Sequence, residues 1–216
     1  PSYYEFHNPV KILSGERSLE NIPFELGQAG CRLPMILTDG GVSKAGLLDT
    51  VLSAFKSSEM DIGAVFDEIP PGSSDQVVSR IGRIYRARGC DALIAVGGGS
   101  VIDTAKGVNI LVSEGSEDLM QFAGAERLKN PLRPLFVVPT TAGTGSEATV
   151  VAVIYNEARQ VKMLFTSFRL LPSAAFIDPR MTLTMPPRIT AATGMDALSH
   201  AVEASTCLQK NPLSDA

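Results

Sequence analysis

Short apolar runs alternate with amphipathic stretches over the first half of the chain. Apolar runs that end in turn residues predict strands at PMILTD (34–39), DIGAVFD (61–67) and DALIAVGGGS (91–100). Helical spacing of apolar residues predicts helices over 43–58, 75–89 and 101–113. This strand–helix alternation predicts an α/β fold, with a mostly parallel sheet covered by helices on both faces.

The second half begins in the same way and then changes character. LFVVPTTAGTGS (135–146) is a buried strand that runs into a glycine-rich loop, and AAFID (174–178) is a further short strand. Between them, residues 150–165 predict a β-hairpin that turns at Asn156–Glu157. Three prolines in 178–188 predict a linker, and residues 187–209 predict helix.

The domain organisation follows from this change. We expect an α/β domain over residues 1–182 and the start of an all-helical second domain over 183–216. Near the end, Asn211 and Pro212 have the residue types of a helix N-cap and a first helical residue. A domain rarely stops on such a start signal, so the chain is expected to be a fragment of a longer protein.

Composition and charge narrow the function classes. The chain has 216 residues and a net charge of −4, with no basic stripe for nucleic acid. No apolar run approaches the ~20 residues that span a bilayer. Because the N-terminus also lacks the regions of a signal peptide, the cytoplasm is the expected compartment. Cys31, Cys90 and Cys207 are widely separated in sequence, and we expect all three to be reduced and buried.

The GGGS turn at 97–100 is the first candidate for ligand chemistry. It lies between a predicted strand and a predicted helix, so free N–H groups and the positive helix end can attract an anion such as a pyrophosphate. We place Asp103 in the first turn of that helix and count it among the candidate cofactor-binding residues. A tight turn without a ligand is the alternative, but three consecutive glycines exceed what a turn requires. Neither the Rossmann fingerprint nor the P-loop spacing is present.

Three further features are candidates for the same ligand. Asp39 closes a strand where its carboxylate can bond a ribose 2′-hydroxyl and repel a 2′-phosphate, although DGG also reads as an ordinary turn. The loop PTTAGTGSE (139–147) carries Thr140, Thr141 and Thr144, whose hydroxyls can hold phosphate or ribose. Lys162 in the hairpin can reach a cofactor, though a lone lysine there is usually just solvated.

Asp196 and His200 form a candidate half of a metal site. They stand four residues apart in a predicted helix, so both can face one ion. A carboxylate with an imidazole suits iron(II) or zinc. The spacing alone also fits a surface pair or a cap, and the other histidine of the chain, His7, is near the N-terminus.

Taken together, GGGSVIDTAK, PTTAGTGSEAT, DPRMTLTMPPRITAATGMDALSHAVEA and NPLSDA resemble the iron-containing (group III) alcohol dehydrogenases, which are related to dehydroquinate synthase. The resemblance implies a parallel-sheet nucleotide-binding domain followed by an all-helical domain, with the active site in the cleft between them. It implies an NAD(P) site lined by Asp39, Gly98, Gly99, Ser100, Thr140, Thr141, Thr144, Val153 and Lys162.

The same resemblance implies metal-assisted hydride transfer between an alcohol and a nicotinamide cofactor. Asp196 and His200 would be the first two ligands of iron(II), with zinc as an alternative, and two further histidines would come from later helices. Asp39 favours NAD over NADP, and an N-terminal YYEF edge strand implies a homodimer. Maleylacetate reduction or hydroxyacid–oxoacid transhydrogenation on this scaffold, or a non-catalytic nucleotide-binding module, are the alternatives.

Overall fold

The computed structural model describes residues 3–208 and 210–214. The strands are β1 (Lys11–Ser14), β2 (Pro34–Leu37), β3 (Ala64–Phe66), β4 (Ala92–Gly97), β5 (Gly124–Ala125), β6 (Leu135–Pro139), β7 (Val151–Asn156), β8 (Val161–Thr166) and β9 (Ala174–Ile177). The helices are α1 (Ile22–Gln28), α2 (Gly40–Lys44), α3 (Leu47–Phe55), α4 (Asp75–Ala87), α5 (Gly99–Glu114) and α6 (Pro187–Thr206).

Over the described residues, six strands form one parallel sheet in the order β1-β9-β6-β4-β2-β3. Alternate residues of β2 show how both faces are covered. Met35 and Leu37 pack in the cluster formed with α4 and α5, whereas Ile36 packs in the cluster formed with α1 and α3. The predicted α/β fold, with a parallel sheet between two helical layers, is therefore confirmed.

A smaller sheet lies beside α5. β7 and β8 are antiparallel, as predicted, and β5 joins the outer side of β8 in parallel. The hairpin turn falls after Asn156, which still belongs to β7, and Gln160 has the left-handed φ of 56° that closes it. Neither β5 nor the edge strand β1 was predicted, because β5 has only two residues and β1 is mostly exposed, without the buried apolar run that marks β2 or β9.

The single helix predicted over 43–58 is wrong. The chain forms two helices, α2 and α3, separated at Gly46. Gly46 has φ 73°, a left-handed conformation that ends one helix and that glycine adopts without a steric penalty. The first of the two helices, α2, begins at Gly40, so the candidate Asp39 is its N-cap residue.

The region after β9 differs from the sheet domain. A short 3₁₀ turn (Pro179–Met181) interrupts the predicted linker, and α6 follows with no buried side chain among its described residues. Asn211 Oδ1 accepts from the Leu213 and Ser214 N–H groups, which is the bonding of an N-cap, although residues 212–214 form a turn. The domain boundary at residue 182 stays a prediction.

Two smaller expectations have mixed outcomes. Cys31 and Cys90 are buried as predicted, but the prediction for Cys207 is wrong, since it is exposed just after α6. The edge strand predicted at YYEF is wrong for the described chain, because Tyr3, Tyr4 and Phe6 are exposed and pair with no strand. Across residues 3–208 and 210–214, no helix is long and apolar enough to cross a membrane.

Candidate functional site

The order of strands creates a crevice between β2 and β4. From β2 the chain moves to β3 on one side of the sheet, whereas β4, β6 and β9 follow on the other side. In open parallel sheets, ligands bind outside the carboxyl ends of the strands at such a reversal. Thr38, just after β2, donates from Oγ1 to the Val96 carbonyl of β4 at 2.7 Å. The segments that hold Asp39 and the GGGS turn are therefore neighbours.

The N-terminus of α5 opens into this crevice. Gly98 is the N-cap residue and makes no side-chain capping bond, so the first N–H groups of a 16-residue helix have no such partner. Ser100 Oγ accepts from the Gly72 N–H at 3.2 Å, which holds the 70–74 loop against the helix end.

The position predicted for Asp103 is wrong, because the helix starts at Gly99 and Asp103 is its fifth residue, beyond the first turn.

The glycines at the end of β4 allow a second loop to approach. A Cβ at Gly98 would lie 3.0 Å from Thr141 Oγ1, and a Cβ at Gly99 would lie 3.0 Å from Thr144 Cγ2. Close packing therefore explains two of the glycines without any ligand. It also brings the two glycine-rich loops together, and the Thr140 N–H donates to the Gly97 carbonyl at 3.1 Å. The backbone N–H groups and threonine hydroxyls of the two loops therefore lie side by side at the carboxyl ends of β4 and β6.

Asp39 caps a helix, a role that the sequence analysis did not assign to it. It is the N-cap of α2, and its Oδ1 accepts from the Gly41 and Val42 N–H groups at 2.7 and 2.9 Å. Both bonds use the same oxygen, so Oδ2 has no part in the cap. Asp39 therefore caps a helix and does not close an ordinary turn, and a ribose contact through Oδ2 stays a prediction.

Val153 and Lys162 lie on one face of the hairpin. Val153 pairs with Leu164, and Tyr155 pairs with Lys162, so these side chains share the outer face. Val153 is 37% exposed, whereas Ala152 and Ile154 are buried against the core. The predicted pair of cofactor residues therefore shares one surface, although Lys162 is simply exposed there.

Sequence reasoning missed Lys106, a fully buried lysine on α5 with 0% exposure. Its Nζ donates to the carbonyl oxygens of Ser146, Thr149 and Val151 at 2.9, 2.8 and 2.8 Å. Burial lowers the pKa of Lys106 to about 8, against the opposing charges of Asp103 and Glu147. The available signal was a lone cation inside the run VIDTAKGVNILV, whose other members are mostly apolar.

Asp103 lies one turn before Lys106. Its Oδ2 accepts from the Val153 N–H at 3.0 Å. Burial raises the pKa of this carboxyl, and the Val153 N–H and the charge of Lys106 counteract the rise in part. The structure thus gives Asp103 a partner in β7, whereas its predicted contact with a cofactor stays a prediction.

Asp196 and His200 occur together on α6 as predicted. His200 Nε2 lies 3.8 Å from Asp196 Oδ1, and both side chains are about half exposed. Thr193, three residues before Asp196 and seven before His200, shares their helix face. A Cβ at Gly143 would lie within 2.9 Å of Thr193 Cβ, so α6 packs closely on the threonine-rich loop. Within the described ranges, no cluster of three or more His, Cys, Asp or Glu side chains could hold a metal ion.

Comparison with known proteins adds independent information. A model of the family described as iron-containing alcohol dehydrogenase matches residues 9–179. An NAD-dependent methanol dehydrogenase of Bacillus methanolicus is 34% identical over 211 residues, which are 98% of this chain and 55% of that protein.

Two solved structures extend the likeness. A 1,3-propanediol oxidoreductase superposes with a TM-score of 0.93 at 36% identity, over 99% of this chain and 55% of the other. A sulfoacetaldehyde reductase from Bifidobacterium kashiwanohense, solved in complex with NAD+, gives 0.88 at 29% identity, over 97% and 55%. The chain spans about half the length of the relatives it matches.

Proposed function

Because the chain belongs to the iron-containing alcohol dehydrogenase family, we propose that it forms the NAD-binding part of a metal-assisted alcohol dehydrogenase. The observation that carries the proposal is the crevice at the reversal between β2 and β4. There an uncapped helix N-terminus, the threonine-rich loop and Asp39 lie at neighbouring strand ends. This arrangement suits a dinucleotide, which needs an anion site between two ribose sites.

Each part of the crevice has a task in this proposal. The N–H groups of Gly99 and Ser100 at the start of α5 bind the pyrophosphate, and the glycine at 98 lets the backbone come close. Asp39 Oδ2 accepts from the adenosine ribose while Oδ1 keeps its cap. Thr140, Thr141, Thr144, Val153 and Lys162 line the nicotinamide side. NAD dependence in a methanol dehydrogenase relative supports NAD as the cofactor.

Asp196 and His200 fit a divalent metal ion by their chemistry and spacing. A carboxylate and an imidazole 3.8 Å apart on one helix face can both bind one ion, of which iron(II) is proposed and zinc also suits the donors. When bound, the ion supplies a Lewis acid beside the alcohol oxygen. The chain's own residues hold the nicotinamide in place, orient the reacting carbon and reduce access of water.

The proposed substrate is a small primary or secondary alcohol, or the corresponding aldehyde or ketone. Relatives named for methanol and 1,3-propanediol support this class. With two of the metal ligands in the described residues, we expect the 216-residue chain to bind NAD and to show no alcohol oxidation. In a protein with the full length of these relatives, we expect metal binding and turnover, and His200→Ala should abolish both.

Calorimetric titration of the 216-residue chain with NAD and NADP tests the proposal. Repulsion between the Asp39 carboxylate and a 2′-phosphate should favour NAD by ~1–3 kcal/mol, or roughly 5- to 150-fold. Asp39→Asn is the matched variant, because an asparagine oxygen can keep the α2 cap while the charge is lost. The preference should shrink in this variant. Absence of NAD binding, or equal binding of NADP to the unmutated chain, would contradict the proposal.

A further inference from the structure

One face of α5 packs on the segment that leads into β7. Asp103, Lys106 and Gly107 are three and four residues apart, so they share this face. Asp103 bonds the Val153 N–H, and Lys106 bonds carbonyls of the segment before it. Gly107 lets the β7 side chain of Ile154 approach, since a Cβ there would overlap Ile154 Cδ1. This face of α5 therefore holds the segment 146–153 at its start, through Lys106, and at its end, through Asp103.

The segment 146–150 needs this support because it forms only one short 3₁₀ turn, Ser146–Ala148, before it leads into β7. Its carbonyls at Ser146 and Thr149 have no strand partner, yet they face the buried Lys106 amine. A buried carbonyl without a donor destabilises the fold, because it loses its hydrogen bond to water and gains none in return. An ammonium group carries three N–H donors, which matches the three carbonyls within 2.9 Å. Lys106 thus replaces the hydrogen bonds that regular structure would have supplied.

We propose that Asp103 and Lys106 are positioning residues that hold the 146–153 segment, and with it the outer face of β7, at the nicotinamide side of the crevice. This rests on the proposed NAD site and deepens it. The adenine side uses Asp39 and the start of α5, which these two side chains do not bond. Their loss should therefore weaken binding of the whole dinucleotide and leave binding of its ADP half unchanged.

Asp103 offers matched variants at a position that is not fully buried. Asp103→Ala removes the acceptor of the Val153 N–H, whereas Asp103→Asn keeps an acceptor oxygen and removes the charge. We expect Asp103→Ala to lower NAD affinity about tenfold or more, given the strength of a hydrogen bond to a charged group. Asp103→Asn should recover most of that loss. Amide exchange at Val153 should be faster in the alanine variant only.

Lys106 is tested by chemical rescue. Lys106→Ala leaves a cavity of the length of n-propylammonium, which carries three N–H donors, and n-propanol is the neutral control of the same length. Added n-propylammonium should restore NAD affinity, and n-propanol should not. If Lys106→Ala does not fold, the Asp103 pair decides the question alone.

The outcomes separate this inference from the proposed function. NAD weakened with ADP unchanged supports the positioning role. NAD unchanged in Asp103→Ala, or NAD and ADP weakened equally, overturns it. Failure of the unmutated chain to bind either ligand instead overturns the proposed function on which the inference rests.

Discussion

We predict that Gly107→Ala destabilises the protein, and that Ile154→Val in the same chain relieves the clash by removing one methyl group. Gly107 lies inside α5, where α4 and β7 both contact the helix. A Cβ at this position would lie 3.0 Å from Val78 Cγ2 and would overlap Ile154 Cδ1. Gly107→Ala therefore overfills the core, and Ile154→Val removes the atom with which the new methyl collides.

The magnitudes follow from opposing terms. Replacing glycine by alanine within a helix gains up to ~1 kcal/mol, and overpacking a core costs ~1–3 kcal/mol. Gly107→Ala should thus destabilise the protein by up to about 2 kcal/mol. Ile154→Val alone should cost ~0.5–1.5 kcal/mol. In the double variant the alanine methyl fills the vacated space, so its free energy of unfolding should lie within about 1 kcal/mol of the unmutated protein.

Urea unfolding of the four proteins gives the coupling energy, provided that their m values agree. Gly27→Ala is the matched control, because Gly27 is also helical and a Cβ there meets nothing within 4 Å. It should be neutral or stabilising. Effects of the two core substitutions that add within about 0.5 kcal/mol would refute the reasoning. So would a Gly107→Ala variant that is more stable than the unmutated protein.

Three more predictions follow from the structure. Lys106 has a folded pKa of about 8, below its ordinary 10.5, so the unfolded state binds more protons above pH 8 and stability should rise with pH. Lys106 should contribute a rise of about 1 kcal/mol between pH 8 and 9, and the raised pKa values of Cys31, about 11, and of Cys90 oppose it over the same range. The difference between the urea-unfolding profiles of the unmutated protein and of Lys106→Met gives the Lys106 contribution, which should rise with pH. Gly143→Ala should move α6 away from the threonine-rich loop, and amide exchange around Thr193 should become faster. Overall stability should change little, because α6 buries no side chain. Unchanged amide exchange would count against the contact. The exposed Tyr3, Tyr4 and Phe6 should support the predicted homodimer, and a concentration-independent monomer mass in sedimentation would disprove it.

Much of the site was visible in the sequence because its signals are local. Apolar runs predicted β2, β4, β6 and β9, and the glycine-rich ends of β4 and β6 marked the proposed anion site. The spacing of Asp196 and His200 predicted a pair on one helix face, since helical geometry alone brings i and i+4 together. Such features need no knowledge of the rest of the chain.

Only the tertiary structure decided how these local pieces combine. The order of strands places the reversal between β2 and β4, and that order depends on which apolar faces pack together. Lys106 bonds carbonyls 40 to 45 residues away, and Asp103 bonds an N–H 50 residues away. Every buried polar group must find a partner, but the sequence does not say which loop will provide it. The partner is set by packing, and packing is a property of the whole fold.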